Sequence, residues 1–175
     1  MSISKRQSDA FKVMVNWLRD SVREPEQFTL SYAAEASAFV RFNHAKVRQA
    51  GQVQQANVGL KLIDDGRHAD LQITLSGDQE ADLQRLAEGL QQLRETLPLL
   101  PQDPYLLLNH NSWQSTHVQA HPLPDTEDVV GQICAAAEGL DLVGFYAAGP
   151  ISRGFASSAG ASGNAAQYQR RRHVR

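Results

Sequence analysis

Residues 39–75, FVRFNHAKVRQAGQVQQANVGLKLIDDGRHADLQITL, constrain the fold more than any other part of the chain. Phe39, Arg41 and Asn43 alternate with Val40 and Phe42, and Asn43-His44 can turn the chain. Val47 to Gln49 resumes an extended run, and Val53, Val58, Leu60 and Leu62 keep a loose period of two. Asp64-Asp65-Gly66 then closes a tight turn, because Asp-Gly between extended apolar runs is a strong hairpin signal. Ala69, Leu71, Ile73 and Leu75 alternate with Asp70, Gln72 and Thr74. The pattern predicts a three- or four-stranded antiparallel meander with one dry face.

The flanks supply helices. Phe11, Met14, Val15, Leu18 and Val22 share one helical face, which predicts a helix over 8–22 that Pro25 stops. Phe28 to Tyr32 reads as the first strand. Ser76 and Gln79 fit a capping box ahead of Leu83, Leu86, Leu90, Leu93 and Leu97, a second helix ended by Pro98 and Pro101. The proline-rich stretch 98–124 predicts a long ordered loop, with Leu106-Leu107-Leu108 as an alternative buried strand. A third helix is expected from Asp125 or Thr126, with acids in its first turn, Val130, Ile133, Cys134 and Ala137 on one face, and Gly139 as its stop. Leu140 to Ala148 and Ile151 to Ser158 read as a second hairpin across Gly149-Pro150. The expected fold is α+β: an antiparallel β-meander plus a late hairpin, with two or three helices packed on one face. Residues 1–160 form the expected domain. Residues 161–175 lose all pattern and end in Arg170, Arg171, Arg172 and Arg175, which predicts a disordered basic tail.

Composition narrows the function classes. A chain of 175 residues makes one domain, or one and a fragment, large enough to bury roughly 70% of its unfolded surface. The net charge of −2 calls for no nucleic acid, membrane or acidic substrate. The basic tail has no aromatic interleaving beyond Tyr168, so nucleic acid is not an expected partner. The single cysteine, Cys134, leaves no internal disulfide and reads as a structural thiol on an apolar helix face. No apolar run approaches the roughly 20 residues of a membrane span, and no signal peptide is visible. The expected location is the cytoplasm.

No motif in the chain carries catalysis by itself. His117 and His121 have zincin spacing, but Val118 stands where the general-base Glu belongs and Pro122 follows directly. Asp64-Asp65 lacks the further oxygen ligands of a calcium loop. Ser112, Ser157 and Ser158 lack a nucleophile-elbow context. The glycines after Gly144 precede no Gly-Lys-Ser/Thr, so they are not a P-loop. Catalytic, cofactor and metal residues are therefore none. Trp17 reads as partly core. Trp113 in the long loop reads as either a lid on the core or a contact surface, and with Tyr105, His117 and Arg153 it is the candidate interaction surface.

Arg41-Phe42, Val47 and Gln49 fit an R-F-x-N-x-x-V-x-Q run, with Asn43 one place ahead of the pattern's Asn, and Asp65-Gly66-Arg67 fits its D-G-R turn. Gly144-Phe145-Tyr146-Ala147-Ala148-Gly149 and Arg153-Gly154-Phe155-Ala156-Ser157-Ser158-Ala159-Gly160 follow a glycine-bounded strand and an A-N-S-x-G segment, with Ser157 where Asn is usual. In this wording and order the chain resembles the N-terminal region of the TldD/PmbA family, also called the TldE or modulator of DNA gyrase family. The resemblance implies a cytosolic peptidase assembly that processes small peptides. It implies zinc in a TldD-type catalytic subunit, bound through an H-E-x-x-x-H motif, and a TldE/PmbA-type subunit without it. None of the six histidines here is followed by Glu. The resemblance thus implies a non-catalytic scaffold or interaction domain, inactive alone, partnered by a TldD-type subunit or by itself. Family members continue beyond the A-N-S-x-G segment, so the sequence also suggests a member truncated before its C-terminal domain. The alternatives are a free-standing binding module with a basic tail, or a truncated relic without function.

Overall fold

The structure, a computed structural model, describes the backbone of residues 3–119, 122–160 and 162–174, and side chains within 9–119 and 122–160. The elements are α1 (Ile3–Ser21), β1 (Gln27–Asn43), β2 (Lys46–Asp64), β3 (Arg67–Thr74), α2 (Gln79–Thr96), a 3₁₀ turn (Leu97–Leu99), β4 (Gln114–Gln119), α3 (Thr126–Ala136), β5 (Gly144–Ser157) and β6 (Ser162–Val174). The strand order is β3-β2-β1-β5-β6-β4, with β2 and β3 antiparallel as the expected meander requires, and the fold is α+β as expected. The chain divides into two compact units. Unit 1 comprises Met1–Ala34, Gln55–His117 and Ser152–Ala165, and unit 2 comprises Glu35–Gln54, Val118–Ile151 and Ala166–Arg175.

In unit 1 the helical and strand periods meet. Phe11, Met14, Val15 and Leu18 of α1 and Leu86, Leu90 and Leu93 of α2 are buried against Phe28, Leu30, Tyr32 and Ala34 of β1 and Val58, Leu60 and Leu62 of β2. Each fully buried leucine contributes about 1.5–3 kcal/mol. Trp17 packs on the edge of this cluster, as its sequence position suggests. Burial and the nearby Asp82 push the Tyr32 phenol up to about 12. Asp65 and Gly66 take φ of 47° and 69°, the left-handed values a two-residue hairpin turn needs, and set the register Leu60↔Leu71 and Leu62↔Ala69. The cap of α2 lies two residues beyond the expected one. Asp78 accepts from the Ala81 amide at 2.9 Å. Ser76 is held instead by the buried Asp82 carboxylate, which accepts from the Ser76 amide (2.7 Å), its hydroxyl (2.8 Å) and the Gly77 amide (2.9 Å). A carboxylate has lone pairs for all three donors, which the Gln79 amide lacks. Arg94 of α2 clamps Glu26 through two bonds of 2.7 Å and also reaches the Ser21 carbonyl at the end of α1. The Arg94 guanidinium holds the Glu26 carboxyl below its usual range.

Unit 2 has a smaller core of Val40, Phe42, Val129, Tyr146 and Ala148, flanked by half-buried Val130, Ile133 and Cys134. Asp125 caps α3 through the amides of Glu127 (2.8 Å) and Asp128 (3.3 Å). Val129 of α3 and Ala137 at its C-cap are buried, with the expected Val130, Ile133 and Cys134 half-buried beside them. The late hairpin does not turn at Gly149-Pro150, because β5 runs straight through. A Cβ on Gly149 would lie 2.2 Å from the Ala36 carbonyl and 2.4 Å from the Ser37 Cα. The glycine therefore serves close strand approach rather than a turn. The chain reverses after Ser157 instead, where the Gly160 amide bonds the Ser157 carbonyl at 3.3 Å. Residues 161–175, expected as a disordered tail, contribute strand β6 (Ser162–Val174) between β5 and β4. A ladder satisfies backbone groups whatever the side chains, so an unpatterned sequence can still form a strand flanked on both sides. The expected long loop likewise contains β4.

Candidate functional site

The segment after α2 is anchored at its base and open at its tip. The Asp103 amide donates to the Gly66 carbonyl (2.8 Å), Gln102 Nε2 to the Asp65 carbonyl (3.0 Å), and Arg67 Nε to the Leu100 carbonyl (2.8 Å). Asp103 also accepts from the Tyr105 amide (2.9 Å) and lies 3.2 Å from His68 Nε2. The Tyr105 N–H, then His68, hold the Asp103 carboxyl below its usual range. The bonds tie the segment to the β2–β3 turn and leave Tyr105 86% and Leu107 93% exposed.

Beyond this tip Trp113 stacks on Phe155 of β5, centroids 6.2 Å apart and planes within 5°. The two rings, Leu107, Leu108, Phe28 and Ile63 line a recess of about 230 Å³. Ser158 fixes its wall, accepting the Phe28 amide at its Oγ (3.2 Å) and donating its own amide to the Phe28 carbonyl (3.1 Å). Ser157 Oγ is buried beside the recess with no hydrogen-bond partner among the described residues.

A second recess, of about 530 Å³, belongs to unit 2 and is lined by Arg41, Asn43, Arg48, Gln49, Val143 and Phe145. Strand alternation sends Val40 and Phe42 into the core and Phe39 and Arg41 to the other face. There Phe39 stacks on Phe145 at 6.3 Å, Arg41 lies 5.9 Å from the Phe39 ring, and its Nη1 donates to Gln49 Oε1 at 3.3 Å. The R-F-x-N-x-x-V-x-Q residues thus gather around one hollow, apart from Val47, which is half-exposed.

No protein-family profile and no curated protein matches the chain. Solved structures do. TldE from Thermococcus kodakarensis superposes on 95% of the chain with a TM-score of 0.61 at 12% identity. The chain shares the fold of the matching part of TldE. A candidate modulator of DNA gyrase from Bacteroides thetaiotaomicron superposes on 99% of the chain with a TM-score of 0.56 at 14% identity. The chain spans less than half the length of these proteins, 43% and 40% respectively. The TldE fold agrees with the family resemblance carried by residues 41–67 and 144–160.

On this TldE fold the four residues of the expected interaction surface separate. Trp113 lines the aromatic recess, and Tyr105 stands at the exposed tip leading to it. Arg153 is exposed on β5 and its Nη1 folds back to the Ser152 carbonyl at 3.0 Å. His117 is exposed on β4, and its side chain makes no ion pair among the described residues. His121 lies outside the described residues, and among those described no three His, Cys, Asp or Glu side chains converge on a metal position. Sequence reading missed Phe155 and Leu107. Phe155 was detectable as an aromatic out of phase with buried Ala156, which sends it to the opposite face.

Proposed function

We propose that the chain is a scaffold and interaction domain of a TldD/TldE-type peptidase, of the non-catalytic TldE kind. The superposition on TldE over 95% of the chain supports this reading most directly. The sequence contains no H-E-x-x-x-H, so zinc and the hydrolytic residues would come from a TldD-type partner. In this reading Trp113 and Phe155, with Tyr105 and Leu107, face that partner. Stacked, part-exposed aromatics beside a recess are typical anchors of a protein interface. His117 and Arg153 would lie on its polar rim, where contacts steer association more than they strengthen it.

Co-purification with a TldD-type chain carrying H-E-x-x-x-H tests the proposal. The expected result is a complex by size exclusion with light scattering. Trp113→Ala should weaken it by about 2 kcal/mol or more. Two separate species at tens of micromolar of each chain, or self-association through the same aromatics, would contradict it.

A further inference from the structure

The unit 2 recess has a chemistry that a scaffold does not require. Arg41 and Arg48 bring two guanidinium groups to it, and neither pairs with a carboxylate among the described residues. Arg41 is oriented by a neutral partner, the Gln49 carbonyl oxygen at 3.3 Å, which leaves the Gln49 amide nitrogen as a further donor. Asp141, two residues from Val143, is engaged by His44 Nδ1 at 2.6 Å. The polar lining is therefore rich in donors and carries positive charge. Its apolar side is Phe145, backed by the Phe39 ring, and Val143, which is 51% exposed. Paired guanidiniums beside an apolar wall suit a planar anion attached to an apolar group.

We propose that this recess binds the C-terminal carboxylate of a peptide whose last residue is apolar. Arg41 and Arg48 hold the carboxylate, Gln49 donates a third hydrogen bond, and the terminal side chain lies against Phe145 and Val143. A main chain is favoured by the strand that carries Arg48 and Gln49. Pairing of β2 with β3 ends at Asn57↔Thr74, with one more bond from the Leu75 amide to the Ala56 carbonyl. Among the described residues the sheet order therefore gives residues 46–55 β1 as their one neighbour, and their outer backbone groups are available to an extended peptide. The same ten residues contain Lys46 and Arg48 and no acid. The choice of a peptide over another organic carboxylate also draws on the peptidase reading.

Fluorescence anisotropy of the purified chain with a labelled hexapeptide ending in Val-Leu tests the proposal. The free-acid peptide should bind at least tenfold more tightly than its C-terminal amide. Arg48→Gln should weaken the acid at least fivefold and leave the amide unchanged. Arg48→Lys should recover only part of the loss, because it keeps the charge without the two-pronged geometry. Lys12→Gln on the exposed face of α1 is the control that should change nothing, and circular dichroism checks that each variant folds. Equal binding of acid and amide would overturn the carboxylate clamp. Displacement of the peptide by equimolar inorganic phosphate or by 3-phenylpropionate would overturn the peptide assignment in favour of a free anion. All readouts use the chain alone, so failure here stays distinct from failure to assemble with a catalytic subunit.

Discussion

Unit 1 and unit 2 draw on the same three long strands, yet they are anchored unequally. Among the described residues sixteen buried side chains form the unit 1 cluster and five form that of unit 2. The difference is written along the strands. In β1 burial alternates regularly from Phe28 to Ala34 and then loses its rhythm. In β2 no residue of the stretch 46–56 is fully buried and most are exposed, whereas Val58, Leu60 and Leu62 are fully buried. Two helices cover the strands of unit 1, while α3 alone serves unit 2. Strand length alone therefore says little about local stability. What matters is how much apolar surface each segment buries.

Core truncation separates the units most. Leu60→Ala should destabilise the whole chain by about 2–5 kcal/mol in urea denaturation. Val129→Ala should cost about 1–2.5 kcal/mol, with accelerated amide exchange confined to unit 2. Equal and global effects would break the comparison. Gly149→Ala comes next. Its methyl group would meet the Ala36 carbonyl, so about 1–3 kcal/mol should be lost, again read as faster exchange in unit 2. The smallest effect sharpens the account of unit 1. Glu26→Gln weakens the clamp on Arg94 and should cost about 1 kcal/mol at neutral pH. The folded-state Glu26 carboxyl lies below its usual 4.5, so its stabilisation is full above that value and is lost as pH falls through the depressed one. Wild type and variant should converge in acid, and a gap that persists there would assign the cost to packing.

Most of the architecture was legible because its signals are local. The Asp65-Gly66 turn, the apolar faces of α1 and α2 and the acidic first turn of α3 each arise from neighbouring residues. The errors arose where tertiary partners decide. Gly149-Pro150 has the composition of a turn, but the backbone of β1 beside it explains the glycine. Asp82 displaced the expected cap because its buried carboxylate accepts from the Ser76 and Gly77 amides together. β6 carries no side-chain pattern and is fixed by its place between two strands. Of the site, Trp113 was visible as an aromatic in a loop, whereas its partner Phe155 is some forty residues away in sequence and was not. The unit 2 recess was legible only as a family-like string until alternation placed Phe39 and Arg41 on one face.

Hydrogen–deuterium exchange of the chain with and without a TldD-type catalytic chain tests the central claim most directly. The proposal predicts new protection in residues 105–113 and 152–158, around Trp113 and Phe155, with the buried halves of β1 and β2 already protected in both samples. Unchanged exchange at 105–113 and 152–158 under saturating catalytic chain would contradict it.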